Sequence, residues 1–107
     1  MENQEVIDLI KAYIKDNDVK INKMFLFGSR SKGQPRKDSD YDILLVLKDN
    51  LSNSSKRKLS GNIRRYLLKN NISTGLDLII KTPDNWEWES QSFGYLSYTV
   101  NQEGILL

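Results

Sequence analysis

The chain has 107 residues, with 16 lysines and arginines against 14 aspartates and glutamates and with neither cysteine nor histidine. This length predicts a single domain over residues 1–107 with a modest core, and the net charge of +2 does not by itself require a nucleic-acid partner. Without thiolates or imidazoles, the composition excludes disulfides, zinc-thiolate sites and nucleophile pairs that use histidine; a metal site built from oxygen ligands favours magnesium or manganese.

The hydrophobic pattern predicts elements in the order α-β-β-α-β-α-β. In chain order they are a helix over residues 4–16, strands over 24–27 and 41–47, a helix between Ser52 and Asn71, a strand over 76–80, a weaker helix over 93–102 and a short strand over 105–107. The segment after Thr82 is predicted to be irregular, with Trp86 and Trp88 alternating so that one packs and the other is half exposed. This order favours an α/β (α+β) fold, a small mixed β-sheet with helices packed against it.

No apolar run approaches the roughly 20 residues that a membrane-spanning helix needs, and no secretory signal is visible. We therefore expect a cytoplasmic protein without membrane contact.

A glycine-serine pair and a basic loop follow the first predicted strand. Gly28 lets a phosphate approach the main chain closely, and Ser29 offers a hydroxyl and a backbone N–H where a helical turn can begin. The cations of the loop, against the single Asp38, are Arg30, Lys32, Arg36 and Lys37. This combination predicts a binding site for the phosphates of a nucleotide.

Acidic residues occur at the start of two predicted strands. Asp40 and Asp42 project from the same face, about 6 to 7 Å apart, so both can reach one hard cation. Asp77 stands among apolar residues and is predicted to lie on the buried side of its strand. If that strand lies beside the strand of Asp42, the three acids can hold two magnesium ions about 4 Å apart, a spacing that suits phosphoryl displacement.

The sequence resembles the DNA polymerase β-type nucleotidyltransferase superfamily in its motif. The motif consists of Gly28-Ser29, a gap of ten residues, Asp40-x-Asp42 and the later Asp77. The length and the run from residue 27 to 47 are most similar to the minimal nucleotidyltransferases of prokaryotes, including the antitoxin members encoded beside HEPN-domain toxins. The resemblance implies the polymerase β-type fold, with phosphate binding by the glycine-serine turn, metal binding by the paired aspartates and activation of the attacking hydroxyl by Asp77.

Two departures from the family pattern affect these expectations. Many relatives carry a second arginine where this chain has Lys32. A guanidinium can form two hydrogen bonds to one phosphate, whereas the lysine ammonium acts as a point charge. Larger transferases carry a further helical domain that presents the acceptor, so here we expect another molecule to present it.

The resemblance implies magnesium-dependent transfer of a nucleoside monophosphate, AMP from ATP, to a hydroxyl on a partner protein such as a HEPN toxin. Two alternatives stay open. One is a non-catalytic antitoxin that binds nucleotide or acts sterically. The other is a small-molecule transferase resembling the aminoglycoside nucleotidyltransferases, which needs a dimer to complete its pocket.

The predicted second long helix is strongly basic. Between Leu51 and Leu76 there is no acid, and the cations are Lys56, Arg57, Lys58, Arg64, Arg65 and Lys69. Two interpretations stay open: a solvated helix face, or a docking surface for an acidic partner or for RNA, although nucleic acid is not the favoured partner.

Overall fold

A computed structural model of the chain describes residues 2–27, 41–72 and 75–107. Within these residues the elements are α1 (Glu2–Asp16), β1 (Ile21–Phe27), β2 (Tyr41–Leu47), α2 (Asn53–Lys69), β3 (Leu76–Lys81), α3 (Pro83–Glu89), α4 (Leu96–Glu103) and β4 (Ile105–Leu106). The predicted α+β fold with a mixed sheet is confirmed, with one helix more than predicted. None of the described helices combines the length and the apolar character that a membrane crossing requires.

The four strands form one sheet in the order β3-β2-β1-β4. β2 runs parallel to β3 and antiparallel to β1, and β1 is antiparallel to β4. β2 therefore lies in the middle, and its residues from Ile43 to Val46 are 0% exposed. A strand that is covered on both faces needs a continuous apolar run rather than an alternating one, which explains the sequence of this strand.

Apolar layers cover both faces of the sheet, and β2 contributes to each because its side chains alternate between the faces. On one face, Ile43 and Leu45 belong to a cluster with buried residues of α1 and α2. On the other face, Leu44 and Val46 belong to a cluster with Phe25, Trp86 and Val100, which brings in α3 and α4. Asp42 is two residues before Leu44, so it lies on the α3–α4 face.

Both ends of α2 are capped by residues at the limits of the predicted helix. The Ser52 hydroxyl accepts a hydrogen bond from the Ser55 backbone N–H at 3.2 Å, and the Asn70 N–H donates to the carbonyl of Leu67 at 3.0 Å. The inward face of this helix carries Leu59, Ile63 and Leu67, all of them buried. The caps and this apolar stripe explain why the helix begins and ends at its predicted positions.

We expect Gly61→Ala to raise the free energy of unfolding by about 0.5–1 kcal/mol, because glycine is a poor helix former and Gly61 lies inside α2. An alanine Cβ would meet only the flexible guanidinium of Arg65, at 3.4 Å. Gly104→Ala is the matched contrast, since its Cβ would lie 2.6 Å from the Val100 carbonyl oxygen, and we expect a loss of about 1–3 kcal/mol. Urea unfolding of both variants tests this, and equal signs for the two changes would contradict it.

The segment after Thr82 is helical, so the prediction of an irregular segment was wrong. Thr82 is extended at the N-cap and Pro83 occupies the first turn, where its missing N–H costs nothing. Residues two apart on a helix point about 200° apart, so Trp86 is buried and Trp88 is 60% exposed. The predicted difference between the two tryptophans is confirmed, but a short helix produces it. Such a helix spans too few residues to show a clear period.

Candidate active site at one end of the sheet

The end of β1 and the beginnings of β2 and β3 lie at the same end of the sheet. Asp42 is paired in register with Phe27 across the antiparallel ladder and with Asp77 across the parallel ladder. The Tyr41 backbone N–H donates to the Gly75 carbonyl at 2.9 Å, which joins the start of β2 to the residue before β3. The register therefore sets the position of both acids.

Asp42 and Asp77 are neighbours on one face of the sheet. Residues paired in register on adjacent strands project to the same side, and the strands are about 5 Å apart. The condition for an acidic cluster, that the strand of Asp77 lies beside that of Asp42, is thus met. Asp42 is half-buried, whereas Asp77 is exposed. The expectation that Asp77 lies on the buried side was wrong, because it stands near the beginning of a strand at the edge of the sheet.

The chemistry of this acidic pair fits a divalent cation. Like charges directly opposite each other on neighbouring strands are unfavourable, and a hard cation with oxygen ligands removes that repulsion. The described residues contain no group of three metal-ligating side chains. Asp40, the third predicted ligand, lies outside them.

The predicted phosphate-binding residues Gly28, Ser29, Arg30 and Lys32 also lie outside the described residues. Their role stays a prediction. In the sequence Gly28 directly follows Phe27, the residue that is in register with Asp42.

Arg64 has a structural connection to this site that sequence reasoning did not single out. Its guanidinium donates a hydrogen bond to the backbone carbonyl of Leu76, the residue before Asp77. Its Nε atom lies 3.4 Å from the Ser60 hydroxyl oxygen. Arg64 therefore ties α2 to the start of β3. In the sequence it is one of six cations in this segment, and no local signal distinguishes it from the others.

Comparisons with known proteins bear on the chemistry of this site. A sequence model of the family described as Polymerase beta, Nucleotidyltransferase matches residues 8–106, which include every described strand and both acids. A Methanocaldococcus jannaschii protein named "Putative protein adenylyltransferase" is 33% identical over 72 residues, which are 64% of this chain and 73% of that protein.

Solved structures share the fold. One described as a toxin-antitoxin with AMP-PNP is similar with a TM-score of 0.61 at 24% identity, over 99% of this chain and 72% of that one. A Sulfolobus solfataricus structure described as a "putative nucleotidyltransferase" is similar with a TM-score of 0.55 at 17% identity, over 97% of this chain and 74% of that one. At these identities the likeness establishes the arrangement of helices and strands.

Proposed function

This chain belongs to the polymerase beta nucleotidyltransferase family and is a nucleotidyltransferase, and we propose that it transfers AMP from ATP to a hydroxyl group on a partner protein. The in-register pairing of Asp42 with Asp77 carries this proposal, because it brings an acid from each of two strands to one point on the sheet. The name of the Methanocaldococcus jannaschii relative supports AMP as the transferred group and protein as the acceptor.

In this proposal Asp40, Asp42 and Asp77 hold two magnesium ions. When bound, magnesium neutralises negative charge on the phosphates and on the reacting oxygens. Gly28 and Ser29 bind the β- and γ-phosphates through backbone N–H groups and the hydroxyl. Arg30 and Lys32 add positive charge beside them.

Asp77 orients the acceptor hydroxyl and takes its proton. The acceptor oxygen forms a bond to the α-phosphorus, the bond from that phosphorus to the bridging oxygen of the β-phosphate breaks, and pyrophosphate leaves with the electron pair. The carboxylate of Asp77 releases the proton to solvent afterwards. Its exposed position supports this role, since an acceptor arriving from outside can reach it.

The proposed acceptor is a tyrosine of a HEPN-domain toxin, and the transfer silences it, so that this protein acts as an antitoxin. The toxin-antitoxin structure with the same fold supports this idea. The family match spans residues 8–106, so we treat residues 1–107 as one catalytic domain whose acceptor is another molecule. We propose a cytoplasmic location, where ATP is available.

The experiment that tests this function combines the purified protein, magnesium and each of the four nucleoside triphosphates with the product of the neighbouring gene. We expect the mass of that product to increase by one AMP group with ATP, and we expect EDTA to abolish the increase. Complex formation without a mass increase would favour a steric antitoxin. Modification of an aminoglycoside instead would favour the small-molecule transferase.

Arg64→Ala should lower kcat about tenfold while the KM for ATP stays within about twofold, because the start of β3 that carries Asp77 loses its tie to α2. Arg64→Lys keeps a donor and should recover part of the rate. Lys11→Ala, at an exposed position of α1, is the control. Steady-state kinetics of the three variants separate the effects, and an unchanged kcat for Arg64→Ala would show that Arg64 does not position Asp77.

A further inference from the structure

A groove lies between the C-terminal part of α2 and the start of β3, beside the candidate active site. It has a volume of about 230 Å³ and is lined by Arg64, Leu67, Leu68, Ile72, Gly75 and Leu76. Leu68 is 62% exposed, so this groove presents a large apolar side chain to solvent. Leu76 directly precedes Asp77, so the groove ends one residue from a proposed catalytic acid.

Positive charge lies along α2, the helix that lines this groove. Five of the six cations of the segment from residue 51 to 76 are exposed: Arg57, Lys58, Arg64, Arg65 and Lys69. The segment itself contains no acid, so its positive charge is not offset within α2. Such a surface attracts an acidic partner and repels a basic one.

β3 offers a backbone edge beside the groove, where the Leu76 carbonyl already accepts a hydrogen bond from Arg64. It is the first strand of the described sheet order, paired with β2 on one side and with no described strand on the other. An extended peptide can add to such an edge through backbone hydrogen bonds, while pockets select its side chains. A segment bound along β3 would pass the exposed carboxylate of Asp77.

We propose that the acceptor protein docks here through an acidic, extended segment that lies along the outer edge of β3 and places an apolar side chain in the groove. This inference rests on the proposed function, since it assumes a protein acceptor, and it adds where that acceptor binds. The apolar groove and Leu68 favour protein over RNA. The aromatic residue nearest to the groove on α2, Tyr66, is half-buried with its ring 5.4 Å from that of Tyr13, so it is not presented for base stacking.

The test is Leu68→Glu, assayed with ATP and the product of the neighbouring gene as acceptor. We expect the KM for the acceptor to rise about tenfold or more, as for the loss of a central interface residue, while the KM for ATP is unchanged. Phe93→Glu is the matched control, because Phe93 is 89% exposed between α3 and α4 and lies outside the groove. Thermal unfolding checks that both variants fold.

A second experiment reverses charges on the basic surface of α2. The double variant Lys58→Glu, Arg65→Glu should slow association with the acceptor and reduce its dependence on salt. Calorimetric titration of the acceptor measures binding separately from transfer. An affinity that is equal to that of the wild type in both variants overturns the docking site.

The outcomes separate this inference from the proposed function. Wild-type binding without transfer contradicts the enzyme function, and the loss of binding in Leu68→Glu then still supports the docking surface. Wild-type transfer with an unchanged acceptor KM in Leu68→Glu contradicts the docking surface alone. Absence of both binding and transfer overturns both proposals. Tight binding of labelled poly(U) that charge reversal weakens and Leu68→Glu does not would show an RNA surface instead.

Discussion

Asp42→Asn is expected to reduce nucleotidyl transfer at least about a hundredfold, as for the loss of one electrostatic group at a reacting centre. Asparagine keeps the size of the side chain and one oxygen, but it removes the negative charge that a magnesium ion requires. Asp42 is half-buried at the beginning of the central strand, and it is paired in register with Asp77 on the neighbouring strand. We expect the same loss of transfer for Asp40→Asn.

Asp77→Asn should cause a loss of transfer of similar size for a different reason, since no carboxylate then takes the proton of the acceptor hydroxyl.

Single-turnover transfer of labelled AMP measures these losses, and calorimetry with ATP and magnesium shows which step each variant affects. Asp42→Asn should weaken the magnesium dependence of nucleotide binding, whereas Asp77→Asn should retain more of it. Asp49→Asn is the matched control, because Asp49 is exposed just beyond the other end of the same strand. Transfer at the wild-type rate by Asp42→Asn would refute the metal assignment.

Leu44→Ala should lower the free energy of unfolding by about 2–5 kcal/mol, as for other large-to-small changes in a closed core. Leu44 is 0% exposed and packs in the cluster with Phe25, Trp86 and Val100. Its neighbour Ile43 is also 0% exposed, but it faces the layer formed by α1 and α2, and Ile43→Ala should have a comparable effect. A small domain is stable by only about 5–15 kcal/mol, so either change removes a large share of that stability.

Urea unfolding followed by circular dichroism provides the measurement. Leu106→Ala is the control, because Leu106 is 61% exposed in β4 and its loss should stay within about 0.5 kcal/mol. If Leu44→Ala cost less than about 1 kcal/mol while Ile43→Ala cost more, the α3–α4 layer would contribute little to folding. The helices on that face of the sheet would then be supported by other contacts.

Both predictions concern the same strand, which changes character along its length. β2 begins beside the candidate site with Asp42 and continues as an uninterrupted apolar core strand. The core on both faces fixes the position of the strand, and it thereby fixes the backbone of the proposed metal ligand Asp42. The stability of the domain and the geometry of its site are therefore coupled through β2.

Local patterns in the sequence were sufficient for most elements. β2 has its predicted bounds. A buried strand must be apolar throughout, and this apolar run ends at Lys48, Asp49 and Asn50. The sequence also indicates the apolar face of α1 and the Ser52 cap of α2. Helix periodicity and capping depend on residues only a few positions apart. The family motif in the sequence also singled out Asp42 and Asp77, which the strand register places at neighbouring positions.

Other features depend on contacts between residues that are far apart in the chain. The pairing of Asp42 with Asp77 requires β3 to lie beside β2 in one particular register, and a shift by one residue would move Asp77 to the opposite face. The tie from Arg64 to Leu76 and the groove beside Leu68 depend on how α2 packs against the edge of the sheet. The sequence by itself determined the elements and the kinds of side chain available for chemistry, whereas strand register and helix packing decided which of them meet. Local propensity acts over a few residues, while register and packing are set by burying the two faces of the sheet together.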